Sequence, residues 1–391
     1  MKRSPFTLIV IVFALTGCGW LQAGYDAGHS NSNDGETTIT SANVGQLVDH
    51  VIPAPVPGTP IDATITVTDH LLVVSGQTVY AYSTKTCPSA SGSPCPALWQ
   101  APATAKSLAS DGQRIFISNN GVDVRNLSGE LLWHTAIGGT HIAISNGKVF
   151  TTNTRFETVT TSHTVYLARH DLFTFRADCD PGVCGSEQIS GWEGPTIVTS
   201  VDLTQYSGIP PTVFDGMAHF DRIRDGILVN KRGRYDLRVP ACQATEPTCA
   251  PNATYTGMAD PVALSPTHVF DRQFDQQFPT SAKGLVWYAG VTSPCPGVPA
   301  ACAPQAQAAL TRYGPTSVGG NVVYATSATG IDAFAENGIT NCTNATPRNC
   351  SALAHLDLGA PPTGEIQIAN RRVYVNTGSQ IHVLSLPGEI T

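Results

Sequence analysis

One local pattern recurs seven times along the chain, and this repetition constrains the fold more than any other feature of the sequence. Its first copy begins with LLVVSGQTVYAYS, residues 71–83, where two β-rich runs flank a glycine turn as in a β-hairpin. A long loop follows, and the copy ends on the short run ALWQAPAT, residues 97–104. Most copies begin about 35 to 60 residues apart, a period at which repeats indicate solenoids or propellers.

Each copy therefore supplies a hairpin, a loop and an outer strand, with one further strand ahead of the hairpin. Four-stranded sheets repeated in this way predict an all-β fold, a β-propeller of seven blades. The third and fourth copies are unusually far apart, so an eighth, degenerate blade could lie within 195–226. The last copy has no outer strand, whereas residues 47–58 resemble an outer strand with no copy before them. We predict that this N-terminal segment completes the last blade and closes the ring.

The cysteines fall into neighbouring pairs, which predict local disulfides in an oxidising compartment. Four to seven residues separate the partners and none is histidine, so the spacing does not favour zinc. Each pair follows the third strand of its copy, and we expect each disulfide to act within its own loop, contributing roughly 2 to 2.5 kcal/mol. The second copy makes the same connection with a compact turn. The predicted pairs are Cys87 with Cys95, Cys179 with Cys184, Cys242 with Cys249, Cys295 with Cys302, and Cys342 with Cys350.

The N-terminus has the pattern of an export signal. Lys2 and Arg3 precede an apolar run of about ten residues, which is too short to span a bilayer. The run closes on LTGC, which resembles a bacterial lipobox and predicts lipidation of Cys18. An ordinary cleaved signal with a chance cysteine is the alternative. We predict a signal peptide at 1–17, the lipidated cysteine and a leading segment at 18–45, and a single propeller domain at 46–391, anchored outside the cytoplasm of a bacterial cell.

Charge excludes some partners. Charged residues make up 13% of the chain, about half the usual level, and the net charge of -7 is spread without runs. No basic patch indicates nucleic acid. We expect a monomer whose partners are an envelope protein and, through the lipid, the membrane.

Two stretches carry a family resemblance. WLQAGYDAGHSNSNDGETTITSANVGQL, residues 20–47, and repeats such as GIDAFAENG, residues 330–338, resemble proteins with pyrroloquinoline-quinone-type repeats, the quinoprotein alcohol dehydrogenase-like superfamily. The resemblance implies a propeller, and its members range from quinone-dependent dehydrogenases to non-catalytic lipoproteins. Catalytic members hold the quinone over calcium against a disulfide between adjacent cysteines, and this sequence has no Cys-Cys dipeptide. We therefore predict a protein of the non-catalytic lipoprotein branch, without enzymatic activity or cofactor.

Two acidic segments are candidates for a ligand site. Carboxylates and one histidine in successive copies could converge on a cation or polar ligand at one mouth of the central channel. Solvated strand ends with interleaved arginines are the simpler interpretation. The function predicted first is accordingly a lipid-anchored scaffold for protein interactions, and the alternative is a ligand-binding propeller or, less favoured, a dehydrogenase. The candidate residues are Asp215, His219, Asp221, Asp271 and Asp275.

Overall fold

The computed structural model describes most of the chain beyond residue 18 and has an almost entirely β fold. Its described part includes one short α-helix, Pro181–Cys184, and a 3-10 helix, Val44–Gln46. No helix in that part is long and apolar enough to cross a membrane. The described residues are 19–26, 30–88, 95–104, 107–139, 141–160, 164–193, 222–225, 227–230, 233–236, 251–259, 261–275, 278–290, 300–312 and 314–390.

The strands of the described residues form seven sheets, numbered here in chain order, in which successive strands pair antiparallel. Sheet 1 contains Ile61–Val67, His70–Ser75, Thr78–Ser83 and Trp99–Pro102. Sheet 2 contains Leu108–Ser110, Arg114–Ser118, Val122–Asn126 and Leu131–Thr135. Sheet 3 contains His141–Ser145, Lys148–Thr160, Thr164–Arg176 and Glu187–Glu193.

Sheets 4 to 6 have the same four antiparallel strands and one added parallel strand each. Sheet 4 contains Arg222–Arg224, Ile227–Asn230, Gly233–Asp236 and Ala253–Tyr255, with Ala300–Cys302 added. Sheet 5 contains Pro261–Leu264, His268–Asp275, Phe278–Ala289 and Ala306–Ala308, with Arg348–Asn349 added. Sheet 6 contains Thr316–Gly319, Val322–Thr326, Gly330–Ala335 and Ala354–Asp357, with Ser32–Asn33 added.

Sheet 7 is built from both ends of the chain. Its first three strands are Ile366–Ala369, Arg372–Asn376 and Gln380–Ser385, and its fourth is the N-terminal strand Val48–Pro53. Val48–Pro53 pairs antiparallel with Gln380–Ser385. The predicted all-β propeller architecture is confirmed at this level, with sheets of the predicted kind. An eighth blade was considered within 195–226. Residues 195–221 lie outside the described residues, and Arg222–Arg224 forms the first strand of sheet 4.

Short turns with left-handed backbone connect first and second strands. Asn146 and Gly147 have φ values of 48° and 72°, as the two central residues of a type I′ hairpin turn require. Asn370 and Arg371 repeat this geometry in sheet 7, at 53° and 63°. Such turns match the twist of the strands, so the alternating apolar residues of each hairpin face the neighbouring sheets.

The core lies between facing sheets. Ile65 of sheet 1 packs with Leu108 of sheet 2, and Val73 of sheet 1 also packs with Val375 of sheet 7. The first strands of neighbouring sheets contact each other from sheet 1 to sheet 3, from sheet 4 to sheet 7, and between sheets 7 and 1. The first strands are therefore the innermost part of the fold.

Both ends of each sheet can be distinguished by their connections. In sheet 1 the loop residue Thr84 donates its backbone N–H to the carbonyl of Asp69, 2.7 Å away, in the first turn. Lys85 pairs with the Asp69 carboxylate at 2.5 Å. We call this end, with the first-to-second turns and the third-to-fourth loops, the cysteine-loop face. The opposite face carries the second-to-third turns and the connections between sheets.

Three of the predicted disulfides are formed, all in loops between third and fourth strands: Cys87–Cys95, Cys179–Cys184 and Cys342–Cys350. Cys302 is also disulfide-bonded. Its predicted partner Cys295 lies outside the described residues. Both cysteines of the remaining predicted pair, Cys242 and Cys249, lie outside them as well, so a disulfide between Cys242 and Cys249 stays a prediction.

Each of these three disulfides closes its own loop, as predicted, but short strands from two cysteine loops also pair with the neighbouring sheet. Ala300–Cys302, from the loop of sheet 5, pairs parallel with the fourth strand of sheet 4. Arg348–Asn349, from the loop of sheet 6, pairs parallel with the fourth strand of sheet 5. Both cover an outer edge whose backbone groups would otherwise be free to pair with another chain.

Sheet 2 covers its neighbour without a disulfide. The indole Nε1 of Trp99, in sheet 1, donates to the carbonyl of Leu127 in the compact turn of sheet 2, 3.0 Å away. Gly129 follows, and a Cβ there would lie 2.5 Å from Cγ of Trp99. Gly129 also has a φ of +83°, which other residues rarely adopt, so both the backbone conformation and the close approach to the Trp99 ring require glycine here.

Candidate functional site

The space between the first strands is occupied by the chain's own N-terminal segment. Residues 19–26 and 30–37, here called the axial segment, contact first strands of several sheets. Trp20 is fully buried and bonds to Thr66 of sheet 1, its N–H donating to Oγ1 at 2.8 Å and its carbonyl accepting the N–H at 2.9 Å. Trp20 also meets Tyr25 edge to face. The segment thus begins as part of the core.

Gln22 binds the axial segment to sheet 3. Its side-chain Nε2 donates to the carbonyl of Ile144 at 3.1 Å, and its Oε1 accepts the N–H of the same residue at 2.8 Å. Its backbone forms a bridge with Ala109 of sheet 2. The buried amide of Gln22 therefore satisfies the N–H and the carbonyl of Ile144 in a first strand, whereas a solvated loop residue would bond to water.

The second half of the axial segment binds sheets 5, 6 and 7. Ser30 accepts the N–H of Leu264 at 2.7 Å, and the Asn31 side chain donates to Val262 at 2.7 Å. Ser32–Asn33 runs parallel to the first strand of sheet 6, and Nδ2 of Asn33 donates to Ile368 of sheet 7 at 2.6 Å. Asn33 can be fully buried because its side chain satisfies a backbone carbonyl that faces the axis.

Glu36 fixes the point where the segment leaves the axis. Its Oε1 accepts the backbone N–H groups of Thr38 and Ile39 at 2.7 and 3.2 Å, and its Oε2 accepts that of Arg371 at 3.0 Å. Arg371 lies in the first turn of sheet 7, so the segment leaves at the cysteine-loop face. Asp34 forms an ion pair there with Arg224 of sheet 4.

Glu365 holds the deepest part of the axial segment. Its Oε1 accepts the N–H of Gly24 at 2.8 Å, and its Oε2 accepts the indole N–H of Trp20 at 3.2 Å. Burial raises the pKa of the Glu365 carboxyl above its ordinary value, and these two hydrogen bonds oppose the rise. Glu365 precedes the first strand of sheet 7, so Gly24 lies near the opposite face.

A cavity of about 290 Å³ lies beside Glu365, towards the opposite face. Asp62, His141 and Asn376 share its lining with Glu365 and with Ala23 of the axial segment. Two carboxyl groups and an imidazole give it the chemistry to bind a small polar or cationic molecule.

The structure places only part of the acidic site predicted from the sequence. Asp215, His219 and Asp221 lie outside the described residues. Asp271 is fully buried in the second strand of sheet 5, where both its oxygens accept the N–H of Ala259 at 3.1 Å. Asp275 ends the same strand, opposite Phe278. A ligand role for these five residues stays a prediction.

The axial segment is the feature that sequence reasoning missed. SNSND, residues 30–34, has the composition of a solvated loop, and burial of Ser30, Ser32 and Asn33 has no local signature. Trp20, a large aromatic residue at the start of a polar stretch, was the available signal.

The described residues around the axis do not present the calcium ligands over which a quinone of the resembling family would be held. Trp20 and Asn33 of the axial segment are fully buried and pair with first strands, so the segment itself fills part of the space between those strands. Within the described ranges, moreover, no group of three or more His, Cys, Asp or Glu residues could hold a metal ion.

Comparisons with known proteins give the fold. No protein-family model matches the chain, and no curated protein sequence matches it significantly. A quinohemoprotein alcohol dehydrogenase from Pseudomonas putida HK5 is similar in structure, with a TM-score of 0.51 and 10% identity, over 95% of this chain and 80% of that chain. A second such enzyme, from Comamonas testosteroni, has a TM-score of 0.48 and 11% identity, over 95% and 81%. The likeness to the first of these shows a β-propeller fold.

Proposed function

We propose that this chain is a lipid-anchored, extracytoplasmic scaffold protein, a closed seven-bladed propeller that binds another protein of the cell envelope through its loops. The observation that carries the proposal is the axial segment. The segment fills part of the space between the first strands, so the loop-bearing faces are the larger surfaces available to partners.

The contacts between the chain ends support a closed ring. Val48–Pro53 pairs with Gln380–Ser385 in sheet 7, and the first strand of sheet 7 contacts that of sheet 1. A ring closed in this way holds its loops on a rigid frame, which is what a scaffold requires.

The position of Gly19 supports a short tether. Gly19 is buried, and a Cβ on it would lie 2.7 Å from the carbonyl oxygen of Thr66. The predicted lipidated Cys18 is the preceding residue, so the lipid would join the propeller without a flexible linker. An anchor of this kind raises the effective concentration of the scaffold near a membrane partner.

Cross-linking in the native membrane tests the scaffold role. We expect a discrete envelope protein to be captured with the lipidated chain and to be lost when Cys18→Ser releases the chain from the membrane. In isolated membranes, excess soluble Cys18→Ser protein should compete with the lipidated chain for this partner and so reduce its capture. If the lipidated chain captures the same background proteins as the soluble form, the scaffold proposal is wrong.

The cavity beside Glu365 favours a second candidate, a propeller that binds a small cationic ligand. Asp62 and Glu365 line it together with His141. A thermal-shift screen with small organic cations would find stabilisation that depends on concentration and is lost in Asp62→Asn. Equal shifts in the wild type and this variant would exclude the cavity as the site.

A further inference from the structure

We infer that the cysteine-loop face lies against the membrane, with apolar side chains of the disulfide-bonded loops entering the lipid interface. This inference rests on the lipid anchor of the proposed function and adds an orientation to it. The face, the apolar side chains and the charges around them each support it.

The position of the axial segment determines the face. Trp20 bonds to Thr66, at the end of the first strand of sheet 1 that precedes the turn with Asp69. Gly24, four residues later, has reached Glu365 near the opposite face. The chain therefore enters the axis from the cysteine-loop face, and the lipid on Cys18 would emerge there.

The most exposed large apolar side chains of the described residues lie in the loops of this same face. Val183 is 82% exposed and lies within the loop closed by Cys179–Cys184. Ile339 is 60% exposed and precedes Cys342, and Leu98 is 56% exposed and follows Cys95. Three separate sheets thus present an apolar side chain beside a disulfide.

The disulfides explain how these side chains are presented. A loop closed by a disulfide loses few conformations when it is held at an interface, so Val183, inside the Cys179–Cys184 loop, is already placed for contact. Ile339 and Leu98 lie three residues outside a closed loop, each next to its fixed end. Three side chains are too few to bind a bilayer alone, but with the lipid inserted they would set the orientation of the propeller.

Two basic side chains near these loops are paired with carboxylates, and the carboxylate of Asp180, beside Val183, accepts the backbone N–H of Gly182. Lys85 pairs with Asp69 at 2.5 Å, and Arg176 pairs with Asp178 at 2.7 Å. These two pairs add little net charge beside the apolar side chains, so we expect a similar orientation on neutral and anionic vesicles.

Hydroxyl-radical footprinting with mass spectrometry tests the orientation. Lipidated protein would be reconstituted on phosphatidylcholine vesicles, recovered by flotation and compared with soluble Cys18→Ser protein. Oxidation of Val183, Ile339 and Leu98 should fall severalfold on the vesicles. Val56 is the matched control, because it is 40% exposed and lies between Val48–Pro53 and Ile61–Val67, on the opposite face. Its oxidation should not change.

The outcomes separate the orientation from the anchor. Floating protein with Val56 protected, or with no position protected, overturns the orientation and leaves the anchor standing. Protein that does not float overturns the anchor and the orientation with it. A Val183→Asp and Ile339→Asp variant should still float but lose protection at Leu98, whereas Val56→Asp should float and keep it. Protection at Leu98 that survives the double variant would also contradict the inference.

Discussion

Replacing Trp20 by alanine tests whether the axial segment is part of the core. Trp20 is fully buried, and the substitution removes its packing against Tyr25 as well as its bond to Glu365. A buried tryptophan truncated to alanine typically costs about 3 to 5 kcal/mol. We expect a loss of that size in the free energy of unfolding of soluble Cys18→Ser protein.

Trp20→Phe separates the two contributions. Phenylalanine keeps an aromatic ring beside Tyr25 but cannot donate to Glu365, and the lost hydrogen bond to a carboxylate should cost about 1.5 kcal/mol. The free energies would come from urea unfolding followed by far-UV circular dichroism under non-reducing conditions. Leu132→Ala, at a position 47% exposed, should change stability by less than about 0.5 kcal/mol.

A loss below about 1 kcal/mol for Trp20→Ala would refute the reasoning, because truncation of a core tryptophan costs more than that. The axial segment would then be a strand laid on a ring that is stable without it. The argument that this segment fills the axis and leaves the loop-bearing faces to partners would then be wrong.

Three further predictions concern named contacts. Burial raises the pKa of Glu365, so the stability of the wild type relative to Glu365→Gln should be greatest at acid pH and should decline as pH rises through the raised pKa. Unfolding curves of both proteins at several pH values would measure this difference, and a difference that does not change with pH would contradict the prediction. In thermal unfolding, Gly129→Ala should destabilise the protein by about 2 to 4 kcal/mol, because a left-handed backbone strains alanine and its Cβ would overlap Trp99. Gly112→Ala is the control: Gly112 has a φ of +87° but nothing within 4 Å, so the loss should be about 1 kcal/mol. Equal losses would exclude the overlap with Trp99. Replacing the Cys342–Cys350 disulfide by two serines should cost about 2.5 kcal/mol and speed amide exchange at the outer edge of sheet 5; unchanged exchange there would show that the loop holds its strand without it.

The hairpins could be predicted because their information is local. In residues 71–83 the apolar alternation and one glycine turn define two strands, and the structure has them at His70–Ser75 and Thr78–Ser83. The predicted disulfides within the described residues follow from the same local spacing, since each pair closes a loop between adjacent strands.

The axial segment and the added strands could not be predicted for the opposite reason. The Asn31 and Asn33 side chains bond to backbone groups more than two hundred residues away, and a single sequence does not show those partners. Arg348–Asn349 is only two residues long, which is too short to show the alternation of apolar and polar residues that predicts a strand. The candidate site was missed in consequence, since it depends on what fills the axis.

The pairing of the two chain ends has a consequence for how the protein matures. The axial segment and Val48–Pro53 are synthesised well before Gln380–Ser385, the strand with which Val48–Pro53 pairs. Until then Trp20 and the edge of Val48–Pro53 have no native partner in sheet 7, and exposed edges of this kind promote association between chains. A chain that ends before Gln380 would keep that edge exposed.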